Sequence, residues 1–518
     1  MSTEPPGFFD DGVDGAPADV PESVPRPRSP YRIALVVAIV AAGVAGGVVD
    51  AVVSRPAPIQ PPGVPANEIA PAAVESSAWY CAGGTPANGS TAAETLHLLN
   101  TTGHQATATL SAVSDTGAHK SERVVIPSFT QIEEVPGALA GGGFVAATVT
   151  VAGGGVLVTE SVAGPLGWSV TPCSRSTATD WYFASGSTVN GGTLAISLYN
   201  PTSTVAVVDM TFATPSGISQ PQPFEGIVVA PGSLAVEQID HYVQDARSVS
   251  TVVSVRTGSV VAAALQTVSS NGSHGLSVRL GSPQPERAWA LPRSIDLTGG
   301  LSVVTVFNPT SRSERVRIDV RPFRSPPASF TQFVAPTSAW VLETSGQNRI
   351  PDAIPFLATV RVVGRGAGVV VDRSVDAPSS FGGPQFGAMS ALGLTSGTPG
   401  ATSAVLPGPG TDAHPAVNGA AVATLDLYNP GSRGSSATVW AIRGSHLVRV
   451  ARAEVAAGRA VSLASTASTG VQRAAGMGRV GFAPLVVTAS EPLLVLEDLV
   501  PAATAGVVSL PAVGRASG

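Results

Sequence analysis

The sequence predicts an all-β chain: four tandem immunoglobulin-like β-sandwich repeats behind one N-terminal transmembrane helix. Three observations carry this. A strand ending in a turn returns four times, as Leu96-His97-Leu98-Leu99-Asn100, Leu194 to Pro201, Val304 to Pro309 and Leu425 to Pro430. Its asparagines, Asn100, Asn200, Asn308 and Asn429, stand 100, 108 and 121 residues apart, the period of a whole domain and not of a solenoid unit. The composition, 44% hydrophobic and 12% charged with 57 Gly and 44 Pro in 518 residues, suits short strands and many turns better than long helices. One apolar run near the N-terminus is long enough for a bilayer.

Residues 1–30 are polar, Pro-rich and acidic, and read as a disordered cytoplasmic tail. The anchor is placed at 31–53: Ile33 to Val49 is uncharged, and Ile33 to Val53 as a helix would rise about 31 Å. Arg26, Arg28 and Arg32 flank its first end closely and only Arg55 its second, so the positive-inside rule keeps the N-terminus in the cytoplasm and sends the bulk of the chain outside. A cleaved signal peptide is the rival reading, with a long charged region and no clean A-x-A site. Residues 54–77, with Pro56, Pro58, Pro61, Pro62, Pro65 and Pro71, read as a semi-extended stalk.

The repeats are placed at 78–175, 179–280, 286–384 and 402–510, with 385–401 as a linker. Repeat 2 shows the pattern best. Trp181-Tyr182-Phe183 opens it, Leu194 to Asn200 alternates, and Pro201 ends the ladder because it has no N–H to donate. Runs at 205–212, 226–230, 234–239, 251–255 and 260–265 follow, giving about seven short strands, the count of an immunoglobulin-like sandwich. Pro231-Gly232-Ser233 reads as a hairpin-type turn, and Ile126-Pro127-Ser128, Ala335-Pro336-Thr337 and Ala456-Ala457-Gly458 are its counterparts. An asparagine before proline is pushed away from helix yet can close a turn with its side chain, which gives the four asparagines a structural role. Trp79, Trp181 and Trp289 open the first three repeats, while Ala404 stands at that place in the fourth. Such rings serve as packing or as carbohydrate-stacking platforms, and the sequence leaves both open. Cys81 and Cys173 bracket repeat 1 and read as one disulfide in a chain that leaves the cytoplasm; free thiols are the alternative.

The Trp-Tyr-Phe-Ala-Ser-Gly opening at 181–186 with Leu-Tyr-Asn-Pro at 198–201 resembles a repeat of bacterial surface proteins. Together with the anchor and the stalk, the chain resembles an actinobacterial family of membrane-anchored extracytoplasmic proteins of unknown function. That resemblance implies a fold and carries over no catalytic residue. Repeat 1 departs from it, with Cys81 in place of Phe183 and Thr101 in place of the proline.

Catalytic and ligand motifs are sparse. The seven histidines are scattered, without H-E-x-x-H, C-x-x-C, G-x-S-x-G or S-x-x-K. Asp412-Ala413-His414 is a weak metal pattern, and Gly364 to Gly368 reads as a turn, not a phosphate loop. Glu160, Asp372 and Glu497 near the ends of closing strands are expected at a repeated surface position. A net charge of −6 gives no footprint for nucleic acid. No cofactor is expected, and the chain is not expected to be an enzyme. It reads as a non-catalytic, membrane-anchored binding or scaffold protein of the bacterial cell envelope, contacting wall polysaccharide or another envelope protein. An envelope enzyme with a site assembled between repeats is the alternative. Binding surface is sought where the copies differ: the insertion Thr411 to Asn418, and the Arg-rich strand from Arg312 to Arg324. There Arg315, Arg317, Asp319 and Arg321 alternate with Val316, Ile318 and Val320, which puts the charges on one exposed sheet face. Two readings of that face stand: a solvated strand protected against edge pairing, or a basic strip for an anionic polymer or acidic partner.

Overall fold

Apolar residues alternating with small or polar ones become strands throughout the computed structural model, which is all-β. It describes residues 68–71, 74–86, 91–270, 273–294, 301–322, 325–351, 354–378, 386–392, 394–395, 401–408, 422–464, 471–474, 476–477, 483–500 and 508–515. The tail 1–30, the anchor 31–53 and the insertion Thr411 to Asn418, with its Asp412-Ala413-His414 pattern, lie outside them. Among the described residues no helix is long and apolar enough to cross a membrane.

Each copy of the motif builds the same pair of facing sheets. In copy 1 the opening strand Ser77–Gly84 pairs with Val145–Val151, which pairs with Ala106–Ser114 and then His119–Ile126. The second sheet sets Gln131–Glu134 beside the asparagine strand Ala93–Asn100, then Val156–Gly164, then Gly167–Pro172. Copies 2 and 3 keep both orders. In copy 4 one 16-residue strand, Leu485–Val500, spans both sheets, pairing first with Ser435–Arg443 and then with Val422–Tyr428. Leu96, Leu98, Leu110 and Val149 fill the space between the sheets of copy 1, and Ile196, Leu198, Met210 and Val253 do so in copy 2.

The turn expected as a hairpin has a different job. In copy 2 Ile227–Val229 pairs with Ala206–Thr214, whereas Ser233–Gln238 pairs with the asparagine strand, so Pro231-Gly232 carries the chain from one sheet to the other. A left-handed residue makes the corner in every copy: Phe129 at φ 45°, Gly232 at 64°, Thr337 at 45° and Gly458 at 65°.

A last strand in each copy lay outside the expected set. Gly167–Pro172, Ser273–Leu280, Phe386–Leu392 and Val508–Pro511 each follow a closing strand and pair back onto it. These arms join the copies. Val278 and Leu280 donate backbone N–H bonds to Ser169 Oγ and Thr171 Oγ1 of the preceding arm. Ser273–Leu280 pairs in parallel with Phe386–Leu392, so copies 2 and 3 share an eight-stranded sheet. The expected linker 385–401 therefore contains strands, at Phe386–Leu392 and Leu394–Thr395.

The copies form a closed circuit of contacts. Val162 of copy 1 packs with Leu276 and Val278 of copy 2. Ala184 and Ala213 of copy 2 enter the core of copy 3. Ala290 and Leu357 of copy 3 meet Tyr428 and Leu494 of copy 4. Trp168 of copy 1 enters the core of copy 4, and Val405 and Ile442 of copy 4 enter that of copy 1. The end of the expected stalk belongs to this circuit. Glu68–Ile69 pairs in parallel with Val513–Arg515 after copy 4, and Ile69 is fully buried. One isoleucine with a core to enter outweighs the proline-rich composition around it.

Candidate functional site

The four asparagines are buried and fully used by the corner they staple. Asn200 Nδ2 donates to Thr204 O at 2.8 Å and to Val229 O at 3.0 Å, the second carbonyl lying at the end of the strand before the corner. Its Oδ1 accepts from Thr202 N at 3.0 Å and Thr202 Oγ1 at 2.7 Å. Asn100 repeats this with His104 O, Ile126 O and Thr102, and Asn308 with Arg312 O, Val334 O and Thr310. Asn429 does so with Arg433 O, Val455 O and Gly431 N. Thr101, which stands where the others have proline, gives its N–H to Gly155 O, a bond proline could not make.

Trp79, Trp181 and Trp289 are each 1% exposed. Their Nε1–H groups donate to Val156 O, Val260 O and Val369 O, the same position of the closing hairpin in each copy. Buried rings with satisfied N–H groups pin the opening strand across the sandwich and offer no face for stacking a sugar.

Cys81 and Cys173 form a disulfide with Cα atoms 4.7 Å apart, tying the opening strand of copy 1 to the end of its arm. Against it lies a buried acidic pair. Glu160, Asp372 and Glu497, expected at the surface, are 1, 2 and 5% exposed. They sit on closing strands that are central in their sheets and covered by arms and neighbouring copies. Glu160 Oε2 accepts from Gly83 N at 3.2 Å, while neither carboxylate oxygen of Glu94 has a hydrogen-bond partner among the described residues. Burial pushes the Glu160 carboxyl up to about 8, against the pull of the Gly83 and Ala82 amides. Burial, and then the neighbouring Glu160, push Glu94 well above the carboxylate range. Glycines make this room: a Cβ on Gly84 would lie 2.3 Å from the Glu94 Cβ, and one on Gly83 2.5 Å from Val278 of copy 2. A Glu160 oxygen lies within 4.8 Å of both sulfurs, but a disulfide has no thiolate to offer a metal.

Other buried charges lock the junctions. Arg279 of copy 2 pairs with Asp372 of copy 3 at 2.8 Å, and Ser185 donates to the same carboxylate through N and Oγ, both at 2.9 Å. Arg373 of copy 3 reaches Asp498 of copy 4 at 3.3 Å. Gln131 of copy 1 exchanges two hydrogen bonds with the backbone of Gly408. His97 of the asparagine strand is buried beside Ser161, 2.8 Å away.

The Arg-rich strand runs from Glu314 to Pro322, with Arg312 in the turn before it and Arg324 outside the described residues. Arg315, Arg317 and Arg321 are exposed, but they have three different settings. Arg321 Nη1 donates to Gly458 O of copy 4 at 3.1 Å, so it belongs to a junction. Arg317 Nε lies 2.7 Å from Asp319 Oδ1, and Arg361, from the neighbouring strand, lies 2.7 Å from Asp319 Oδ2. Asp319 itself is buried. Burial alone would raise its carboxyl, but hydrogen bonds from Ser329, Arg361 and Arg317 hold it below the usual value. Arg315 stands over the ring of Phe333, 5.9 Å from its centroid. Sequence reasoning missed Arg361 and Phe333 because cross-strand neighbours 44 and 18 residues from Arg317 and Arg315 are fixed only by register: Arg317 opposite Arg361, Arg315 opposite Phe333.

Comparison with known proteins adds little. No curated protein matches the chain. The crystal structure of Thermotoga maritima 1070 is 16% identical, covers 21% of this chain and 95% of its own, and gives a TM-score of 0.19. That of a tetra-tandem repeat in the extending region of a large adhesion protein is 13% identical, covers 81% of this chain and 93% of its own, and gives a TM-score of 0.10. At those TM-scores neither likeness bears on fold or function. Residues 137–322, from within copy 1, ahead of its last three strands, to the Arg-rich strand of copy 3, match the model of a family of unknown function, DUF5719.

Proposed function

We propose that this protein is a non-catalytic scaffold or binding protein of a bacterial cell envelope. In this reading residues 31–53 anchor it in the membrane with the N-terminus inside, and four immunoglobulin-like copies stand outside, as in the actinobacterial family it resembles. One observation carries the proposal: what every copy keeps is spent inside the fold. The asparagines staple corners, the tryptophans of copies 1 to 3 pin opening strands, and buried ion pairs close junctions between copies. A disulfide fits an oxidising compartment outside the cytoplasm. Copies locked to one another act as a rigid platform and not as beads that add reach. Binding then falls to surface that differs from copy to copy. The test is a pull-down with residues 54–518 against purified wall polymers and detergent-solubilised membrane. Retention of a wall polymer or of a single envelope protein is the expected result; recovery of neither would refute binding. Protease added to wall-stripped cells should digest this region and spare a small N-terminal fragment, and full protection would refute the topology.

A further inference from the structure

One outer sheet face of copy 3 is divided in two. Its strands are Ala328–Val334, Glu314–Pro322, Phe356–Val362 and Ala288–Ser294, in that order. At one end Ala290 and Leu357 are buried against Tyr428 and Leu494 of copy 4. At the other end the register lines up two open rows. Arg315 lies opposite Phe333 on one side, and its backbone carbonyl accepts from Val363 on the other. Arg317 lies between Thr331 and Arg361. Phe333 is 69% exposed and Val363 40%, among the largest exposures of apolar side chains in the described residues.

We propose that this open end binds an anionic, uronate-bearing polysaccharide of the envelope, with Arg315, Arg317 and Arg361 taking its carboxylates and Phe333 the apolar face of a sugar ring. This deepens the envelope-binding reading above and rests on it. Three features carry it. First, the guanidiniums are pre-oriented: the single buried carboxylate of Asp319 holds Arg317 and Arg361 on its two oxygens, and Ser329 donates to the same carboxylate at 2.6 Å. Side chains fixed before binding lose less entropy on binding. Second, donors are left over. Arg317 and Arg361 keep about half of their side-chain surface exposed, at 49 and 55%, and the Arg315 guanidinium, set over the Phe333 ring, makes no hydrogen bond or ion pair among the described residues. A guanidinium fork matches a carboxylate in two-point geometry. Third, charge is concentrated where the chain has little: three arginines share one acid here, in a protein of net charge −6. Arg315 and Arg317 are spaced about 7 Å apart along the strand, far enough for each to take a separate carboxylate of one polymer. A strand merely protected against edge pairing has no need of an exposed aromatic ring beside its charges.

The experiment measures retention of labelled polygalacturonate by the full chain in detergent, with neutral dextran as the control polymer. The unmodified chain should prefer polygalacturonate, with affinity falling as salt rises. Arg315→Gln with Arg361→Gln should weaken binding at least about tenfold and flatten the salt dependence, while Phe333→Ser should weaken it and leave the salt dependence unchanged. Arg433→Gln, at an arginine 81% exposed on copy 4, should change nothing. Thermal unfolding checks the variants, and Arg315→Gln alone, which touches no ion pair, replaces the double variant if that one unfolds. Equal retention of both polymers, equal binding by the double variant, or preference for anionic lipid vesicles would each overturn the assignment. A double variant that still captures a wall polymer in the pull-down refutes this face and leaves the envelope reading standing; a chain that captures nothing refutes both.

Discussion

Replacing Asn200 by alanine takes a partner from three backbone groups in copy 2. Thr204 O and Val229 O lose the amide that donates to them, and Thr202 N loses its acceptor. The Thr202 hydroxyl also loses its acceptor but can turn to Thr204 O, 3.1 Å away. A buried group left unpaired costs about 1–3 kcal/mol, and a group that water can reach costs less. Val229 O is buried and the other two are partly so, which puts the loss at about 3–4 kcal/mol. That is a large share of the roughly 5–15 kcal/mol that holds a domain folded. Asn200→Asp separates the two halves of the staple. It keeps the acceptor for Thr202 but turns the donor toward two carbonyls into a charged acceptor. At neutral pH it should be at least as damaging as alanine, and it should recover partly in acid, where the protonated carboxyl regains one donor. Thr202→Val should cost only about 1 kcal/mol. Urea unfolding read together with hydrogen exchange over 193–238 measures all three, the exchange locating the loss at this corner. An Asn200→Ala chain within about 1 kcal/mol of the unmodified one would show that the corner does not depend on its staple.

Three further expectations follow from buried groups and strained backbone. Glu160 has a folded-state value raised to about 8, so its contribution to stability is complete below the usual carboxylate range and is lost as pH climbs toward 8. The Tm should therefore fall between pH 5 and pH 8, and Glu160→Gln should flatten that fall; an unchanged slope in the variant would remove Glu160 as its source. Arg279→Met leaves Asp372 as an unpaired buried charge and should cost about 3–5 kcal/mol, while adding Asp372→Leu should restore most of it; urea midpoints of the two variants decide, and an equally unstable double variant would deny the pairing its role. Thr337 holds φ 45° where the copy 2 and copy 4 counterparts are glycine, so Thr337→Gly should raise stability by about 0.5–1 kcal/mol, and a fall in Tm would contradict the strain.

What the sequence determined alone is local. Asn200 before Pro201, Pro231-Gly232 about thirty residues on and an alternating strand between landmarks are short-range instructions, obeyed wherever the chain repeats them. The seven strands expected in copy 2, the structural use of Asn100, Asn200, Asn308 and Asn429, and the pairing of Cys81 with Cys173 were legible for that reason. A signal for the missed arm of copy 2 was also present, in the alternation of Leu276, Val278 and Leu280. Tertiary structure alone decided what those arms touch. A carboxylate on a closing strand looks the same in sequence whether that strand faces water or another copy. Glu160, Asp372 and Glu497 were therefore assigned to the surface and lie in the interior. The same holds for the basic strip: Arg315, Arg317 and Arg321 are one pattern in sequence, but packing of copy 4 takes Arg321 into a junction, and strand register brings Arg361 and Phe333 to the other two. Burial and cross-strand neighbours depend on contacts between residues far apart in the chain, and periodicity within one strand carries no information about them.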